Sequence, residues 1–124
     1  MADFTNLLVW KTSHLLALEI YKITRELPKE ELFGLVSQIR RASVSVVSNI
    51  AEGETRYTAK DKLNFFIQAR SSIAEVKSQL LLIKDLYKNV ALKIDKIIND
   101  YEVLGKQLNN LITYRRKTNN EKDK

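Results

Sequence analysis

The chain has 124 residues and a formal charge of +6, because 21 Lys and Arg outnumber 15 Asp and Glu. This length fits one domain with one substantial core. The absence of cysteine and the single histidine, His14, exclude disulfide frameworks, thiolate zinc sites, cysteine nucleophiles and metal or catalytic schemes that need two histidines. No apolar run approaches the roughly 18 residues of a membrane span, and Met1-Ala2-Asp3 lacks a basic leader. We therefore expect a soluble cytoplasmic protein.

Glycine and proline are scarce, so the few helix-breaking signals divide the chain clearly. The breaks fall at Pro28, at Gly53, at the capping sequence Thr58-Ala59-Lys60-Asp61 and at Asn89. They predict four helices joined by short loops, and hence an all-α, antiparallel, up-down-up-down four-helix bundle. The predicted helices span 5–27, 29–53, 59–88 and 90–116. Residues 117–124 have no apolar member and are expected to form a polar flexible tail.

Apolar residues recur at alternating steps of three and four along the third and fourth predicted helices. This 3.5-residue repeat keeps one side of a helix against its neighbours, as in bundles and coiled coils. The third helix contributes Phe66, Ala69, Ile73, Val76, Leu80, Ile83 and Tyr87. The fourth contributes Val90, Ile94, Ile97, Tyr101, Leu104, Leu108 and Leu111. These residues are the predicted core.

The second helix is apolar on two sides. One face carries Leu35, Ile39, Ala42, Val46 and Ile50, and the roughly opposite face carries Phe33, Val44, Val47 and Ala51. A single bundle of this size has no second core to cover the second face, so the pattern predicts self-association there. The alternative is that a loop or the tail covers that face, although the tail has no apolar residue with which to do so.

A polar stripe lies between these two faces. Its members are Gln38, Arg41, Ser45, Asn49 and Glu52, whose spacing places them on one side of the helix. If helices two and three pair about the turn near residue 56, Arg41 can reach Glu75, and Ser45 can meet Ser72. The stripe is either a polar site or a satisfied network that fixes helix register, and the second interpretation is the commoner one for half-buried polar groups.

Motifs that carry catalysis are missing. The sequence has no Glu-x-x-His pair for a di-metal bundle site, no phosphate-binding glycine loop and no Gly-x-Ser-x-Gly. We therefore expect no enzymatic activity, no cofactor and no metal.

Positive charge is concentrated in the second half of the chain. Residues 1–57 hold seven basic and seven acidic side chains, whereas residues 58–124 hold fourteen and eight. The predicted phosphate contacts are Arg70, Lys77, Lys84, Lys88, Arg115, Arg116 and Lys117. Rows of fixed cations suit a nucleic-acid backbone. The same lysines could instead pair with acids on the next helix, and the last cluster could complement a helix dipole.

Several segments resemble one known family. The segment Gln38–Gly53 closely resembles the signature of the 23S rRNA intervening-sequence proteins, and Phe65–Val76 is similar to the family's second block. Shorter agreements lie at 9–11, 20–22, 27–31 and 33–35, and the likeness covers about residues 4–114. Matching positions are Gln38, Arg41, Ser45, Asn49, Glu52, Gly53, Ser72 and Glu75, whereas Arg70 departs from the glycine that many members carry.

The resemblance implies a helical bundle that assembles as a ring-like homopentamer without established enzymatic activity. Related proteins act with a reverse transcriptase and nucleic acid in diversity-generating retroelements. We therefore expect a non-enzymatic, homo-oligomeric bundle whose basic surface binds RNA or DNA. The alternative is a protein-interaction scaffold that presents its helices to a partner such as a reverse transcriptase, without binding nucleic acid directly.

Overall fold

The structure, a computed structural model, describes residues 3–122 and their side chains through Thr118. Four long helices account for most of this range: α1 (Leu8–Thr24), α2 (Ser37–Thr55), α3 (Ala59–Leu86) and α4 (Ala91–Lys122). Short 3₁₀ turns lie at Phe4–Asn6, Lys29–Glu31 and Lys88–Val90. Residues 3–122 contain no strand, so the all-α prediction is confirmed. Within the same range, no helix has both the length and the apolar character needed to cross a bilayer.

The connection between α1 and α2 is longer than the sequence predicted. The first helix stops at Thr24 rather than near residue 27, and Pro28 is extended, with ψ at 149°. Residues Leu32–Val36 then form a widened helical turn in which Gly34 departs from helical geometry, at φ −111° and ψ −110°. Proline cannot donate a backbone hydrogen bond, so α1 cannot continue through Pro28. The break at Gly34 then separates the preceding turns from α2, which starts at Ser37.

A hydrogen bond joins this connection to the far end of α3. The Tyr87 hydroxyl donates to Glu31 Oε2 at 2.5 Å. That hydrogen bond, with the nearby negative charge, raises the pKa of Tyr87 to about 12.

The start of α3 agrees with the predicted capping sequence. The Thr58 hydroxyl accepts a hydrogen bond from the backbone N–H of Asp61 at 3.1 Å, which satisfies one of the free N–H groups of the first turn.

Helix α4 is longer than predicted. It continues to Lys122 instead of ending at 116, because no glycine or proline follows Gly105 to interrupt it. Most of the predicted tail, 117–124, is therefore helical, and residues 123–124 lie outside the described range. Consequently, Arg115, Arg116 and Lys117 lie inside a helix rather than at its end.

The predicted seams form the core. Every member of the α3 seam from Phe66 to Ile83 is buried, as is every member of the fourth-helix seam from Val90 to Leu108. Tyr87 and Leu111 are only partly buried, and Ile112 is buried at the last position in place of Leu111. From α2 the core receives Ile39, Ala42, Val46 and Ile50.

The four helices surround this one core. Helix α2 packs against α1 and α3, and α4 packs against α3 and α1. Tyr101 is fully buried among them, and its hydroxyl has no hydrogen-bond partner in the described part of the chain. Burial raises the pKa of Tyr101 well above its usual value.

Candidate nucleic-acid interface

Three polar contacts at equal intervals join α3 to α4. They are Lys84 Nζ to Asp95 Oδ1 at 2.6 Å, Lys77 Nζ to Glu102 Oε1 at 3.8 Å, and Arg70 Nη1 to Asn109 Oδ1 at 3.2 Å. From one contact to the next, the residue number falls by seven on α3 and rises by seven on α4. The basic row that the sequence predicted is therefore held against α4 by side-chain contacts.

The charge of the α4 partner changes along this row. Asp95 and Glu102 each neutralise a lysine, whereas Asn109 is uncharged and leaves the guanidinium of Arg70 uncompensated. Seven residues beyond Asn109, the same side of α4 carries another cation, Arg116, which is exposed. The surface between α3 and α4 is thus neutral in its first half and becomes positive toward the end of the molecule that holds the α2–α3 turn.

Two further cations, Lys60 and Lys106, lie at this positive end and are not among the phosphate contacts predicted from the sequence. Leu63 lies seven residues before Arg70 and so continues the α3 row, and Lys60 precedes Leu63 by three residues. Lys106 likewise precedes Asn109 by three residues on α4. A spacing of three places each pair on a common side of its helix. We call the set Lys60, Arg70, Lys106, Arg116 and Lys117 the cationic end. All five are exposed, and none forms an ion pair with another described residue. The distribution of acidic residues along α4 is the feature of the sequence that could have identified Lys60 and Lys106 as cations without an acidic partner.

Arg115, another predicted phosphate contact, is turned inward. Its Nη2 donates to both carboxylate oxygens of Glu54, at 2.9 and 3.1 Å, and its guanidinium lies 5.7 Å from the centre of the Phe66 ring. Lys62 Nζ donates to the backbone oxygen of Glu54 at 2.7 Å. The Arg115 and Glu54 side chains are only 23% and 11% exposed, so this pair joins α4 to the end of α2.

The remaining predicted contact, Lys88, lies at the opposite end of α3. Its Nζ is 3.9 Å from Asp85 Oδ1, and both side chains are well exposed. A charge pair of this kind contributes little to stability.

The polar stripe of α2 is only partly assembled. The hydroxyls of Ser45 and Ser72 are hydrogen-bonded at 2.9 Å, and Asn49 Nδ2 donates to the Ser45 carbonyl oxygen at 2.9 Å and to its hydroxyl at 3.1 Å. These three residues form a network between α2 and α3, as expected of a register-fixing contact. Glu52 pairs instead with Arg56, the first residue after α2, at 2.9 Å.

The expected contact between Arg41 and Glu75 is not present. Both side chains are exposed, as is Gln38, and none of the three is hydrogen-bonded or ion-paired to another described residue. In the single chain, the outer edge of the stripe therefore faces solvent, because the helix positions of Arg41 and Glu75 point away from the core.

Gly53, the last residue of the motif, allows α2 to approach α3 closely. A Cβ atom at this position would lie 2.7 Å from Phe66 Cε1 and 3.1 Å from the backbone oxygen of Lys62. Both distances are shorter than ordinary van der Waals contact. Gly53 is thus required by packing at the corner where α2 meets α3.

The outer face of α2 is uncovered. Phe33 is 93% exposed and Val44 is 43% exposed, while Val47 and Ala51 are partly buried. Phe33 also lines a shallow groove with Tyr21 and Arg40, where the Arg40 guanidinium lies 4.6 Å from the centre of the Tyr21 ring. No loop covers this face in the described part of the chain, so the role of these residues in assembly remains a prediction.

The chain therefore combines an all-helical, four-helix fold with a charged surface between two helices; no cluster of three or more metal-ligating side chains occurs among the described residues. It belongs to the 23S rRNA-intervening sequence protein family, whose model matches residues 5–110. It is also similar to a solved structure, a protein of unknown function from the S23 ribosomal protein family of Bacteroides thetaiotaomicron. That similarity has 25% identity and a TM-score of 0.79, and covers 90% of this chain and 99% of the other. A comparison with curated proteins finds no match.

Proposed function

We propose that this protein is a non-enzymatic, homo-oligomeric helical bundle that binds the phosphate backbone of RNA or DNA through its cationic end. The observation that carries the proposal is the change of partner along α4, from Asp95 and Glu102 to Asn109 and Arg116. Cations that are not neutralised by a neighbouring acid are the ones available to phosphate oxygens.

This proposal narrows the set of phosphate contacts predicted from the sequence. Lys77 and Lys84 each have an acidic partner on α4, and Arg115 is committed to Glu54. Arg70, Arg116 and Lys117 remain from the predicted set, and Lys60 and Lys106 join them. Because exposed cations on two helices suit phosphate oxygens, the binding depends on the backbone and has little sequence specificity.

Membership of the family supports a connection with RNA, since its members are named for sequences that intervene in 23S rRNA. The solved relative is assigned to a ribosomal protein family and is described as having unknown function. Neither name identifies an enzymatic reaction.

Self-association completes the proposal. Phe33, in the widened turn before α2, and Val44, on α2, are exposed apolar residues that a second copy would remove from water. We propose that up-down-up-down bundles assemble through this face, as the homopentamer of the family resemblance, in the cytoplasm. Assembly multiplies the number of cationic ends, and several weak contacts on one polyanion bind together more tightly than one.

The test is a fluorescence-anisotropy titration of a labelled oligonucleotide at about 50 and 200 mM salt. The wild type is compared with Arg70→Gln/Arg116→Gln and with the matched control Lys77→Gln/Lys84→Gln, which removes the same charge. We expect the first variant to lower the slope of log Kd against log salt by about one per lost phosphate contact, and the control to lower it much less. Absence of binding at 50 mM salt, or equal losses in the two variants, would contradict the proposal.

A second candidate function is a scaffold for a partner protein such as a reverse transcriptase. The observation in its favour is a depression between α1 and α4 in which the apolar side chains of Leu15, Leu16 and Val103 are surrounded by polar residues. Leu15 is 62% exposed there. Competition separates the two candidates. If a polyanion fails to displace a captured partner, and Leu15→Ser/Val103→Ser abolishes capture, the scaffold is the correct function.

A further inference from the structure

The short turn between α2 and α3 holds the most exposed aromatic ring among the described residues. Tyr57 is 97% exposed and lies between Arg56 and Thr58, in a connection of three residues. An aromatic side chain in this position makes almost no contact with its own protein, so its large apolar faces are available to a ligand.

The residues on both sides of Tyr57 are held in place. Arg56 Nη2 lies 2.9 Å from Glu52 Oε2, and its guanidinium lies 4.5 Å from the centre of the Phe65 ring. Thr58 caps α3 through its hydrogen bond with Asp61. With both neighbours fixed, little conformational freedom of the turn remains to be lost when Tyr57 binds a ligand.

Tyr57 also adjoins the cationic end along the chain. Lys60 follows Tyr57 by three residues, and Arg70 follows Lys60 by ten residues along α3, which corresponds to about 15 Å at 1.5 Å per residue. A row of unneutralised cations that ends at an exposed aromatic ring is the arrangement by which proteins bind single-stranded nucleic acid. The cations follow the backbone, and the ring stacks on a base.

We propose that Tyr57 stacks on an unpaired base of a single strand whose phosphates pass over the cationic end, from Lys60 toward Arg70. This inference rests on the proposed function and specifies its substrate class as unpaired nucleotides. At about 3.4 Å per stacked nucleotide, the 15 Å row accommodates four or five nucleotides. A continuous duplex has no free base face for the ring, so it would engage the cations alone.

The experiment measures binding of the full-length chain to a 12-nucleotide uridine strand, to an abasic strand of equal length, and to a duplex. Tyr57→Ala is compared with Tyr57→Phe, which keeps the stacking face. Tyr21→Ala is the control, because Tyr21 is an exposed aromatic residue of α1, a helix that carries no member of the cationic end.

We expect Tyr57→Ala to weaken binding to the uridine strand about tenfold, the effect of one lost base stack. Tyr57→Phe and Tyr21→Ala should bind that strand like the wild type, and Tyr57→Ala should leave binding to the abasic strand and the duplex unchanged. Size-exclusion chromatography with light scattering should show the same oligomeric state for all variants.

Three results would overturn this inference. The first is equal affinity of wild type and Tyr57→Ala for the uridine strand, while Arg70→Gln/Arg116→Gln still weakens binding; the proposed function would then stand without base stacking. The second is a change of oligomeric state in Tyr57→Ala, which would assign the ring to contact between copies. The third is the absence of binding to any of the three probes at low salt, which would overturn the proposed function as well.

Discussion

Arg70 on α3 donates a hydrogen bond to Asn109 on α4, whereas the preceding contact between these helices joins Lys77 to the acid Glu102. One uncharged side chain therefore leaves one guanidinium without a counter-charge. An acidic residue in place of Asn109 would restore the counter-charge. Substitution of Asn109 therefore changes the charge of this surface directly, without disturbing the core.

Asn109→Asp should neutralise Arg70 and weaken binding to a polyanion, because the guanidinium would gain a carboxylate within reach. At low salt we expect a several-fold loss of affinity, together with a small gain in stability of about 0.5 kcal/mol, typical of an exposed ion pair. Anisotropy titration and urea unfolding measure the two effects. Asn99→Asp is the matched control, since it makes the same charge change at an exposed position of α4 that lies seven residues, or about 10 Å, before Lys106. Equal losses of affinity in both variants would show that net charge alone matters.

Gly53→Ala should destabilise the fold, because the new methyl group would meet the Phe66 ring and the Lys62 backbone. We expect a cost of about 1–3 kcal/mol from overpacking. Gly105→Ala provides an internal comparison, since a Cβ there has no neighbour within 4 Å and alanine favours the helix by up to about 1 kcal/mol. Urea unfolding followed by circular dichroism measures both changes. We expect the two substitutions to change the free energy of unfolding in opposite directions. An unchanged free energy of unfolding in Gly53→Ala would contradict the close packing of α2 against α3 at this position.

Glu54→Gln should destabilise the protein by about 2–4 kcal/mol, because it would leave the largely enclosed charge of Arg115 without its counter-ion. The comparison is Asp85→Asn, which breaks the exposed pair with Lys88 and should cost less than about 1 kcal/mol. A double-mutant cycle of Glu54→Gln with Arg115→Met measures the coupling energy. A coupling below about 0.5 kcal/mol would mean that the pair contributes only what surface pairs contribute.

The hydrogen bond from Tyr87 to Glu31 predicts a dependence of stability on alkaline pH. Because the pKa of Tyr87 rises to about 12 in the folded chain from 10.0, folding favours the protonated hydroxyl. The stabilisation is therefore complete below pH 10 and is lost as the pH rises from 10 to 12. Urea midpoints of wild type and Tyr87→Phe, measured across this range, should converge with rising pH. A difference that stays constant would show that the hydroxyl does not titrate as described.

Val44→Glu should weaken self-association, because it would place a charge on the exposed apolar face of α2. The helix content of the chain should stay nearly unchanged, since Val44 lies outside the core. Light scattering reports the oligomeric state and circular dichroism the helix content. Gln68→Glu introduces the same charge at an exposed position of α3 and should assemble normally. An unchanged oligomer in Val44→Glu would direct the search for the interface elsewhere.

The sequence predicted the helices and the core well because periodicity depends on local geometry alone. The apolar spacing of α3 and α4 identified buried residues almost without error, and the capping sequence at Thr58 predicted the start of α3. The end of α4 was wrong because a polar composition was interpreted as a tail, although a segment without glycine or proline can continue a helix.

The candidate interface was less predictable, since charge compensation depends on which side chains meet across helices. The spacing of Arg70, Lys77 and Lys84 was visible in the sequence, but their partners on α4 depend on the register between the helices. The inward orientation of Arg115 required knowledge of where Glu54 lies. The exposure of Tyr57 could not be inferred from the sequence, because it depends on the conformation of the turn between α2 and α3.

The change from acidic residues to an amide and then to a cation along α4 affects how the protein approaches a polyanion. It makes the electrostatic potential asymmetric along the long axis, so a distant polyanion would exert a torque that turns the molecule before any contact forms. Rotation about the axis of a cyclic assembly keeps equivalent atoms at equal height. In a closed ring of these chains, one rim would be attractive to phosphate and the other nearly indifferent, which would give the particle a distinct front and back.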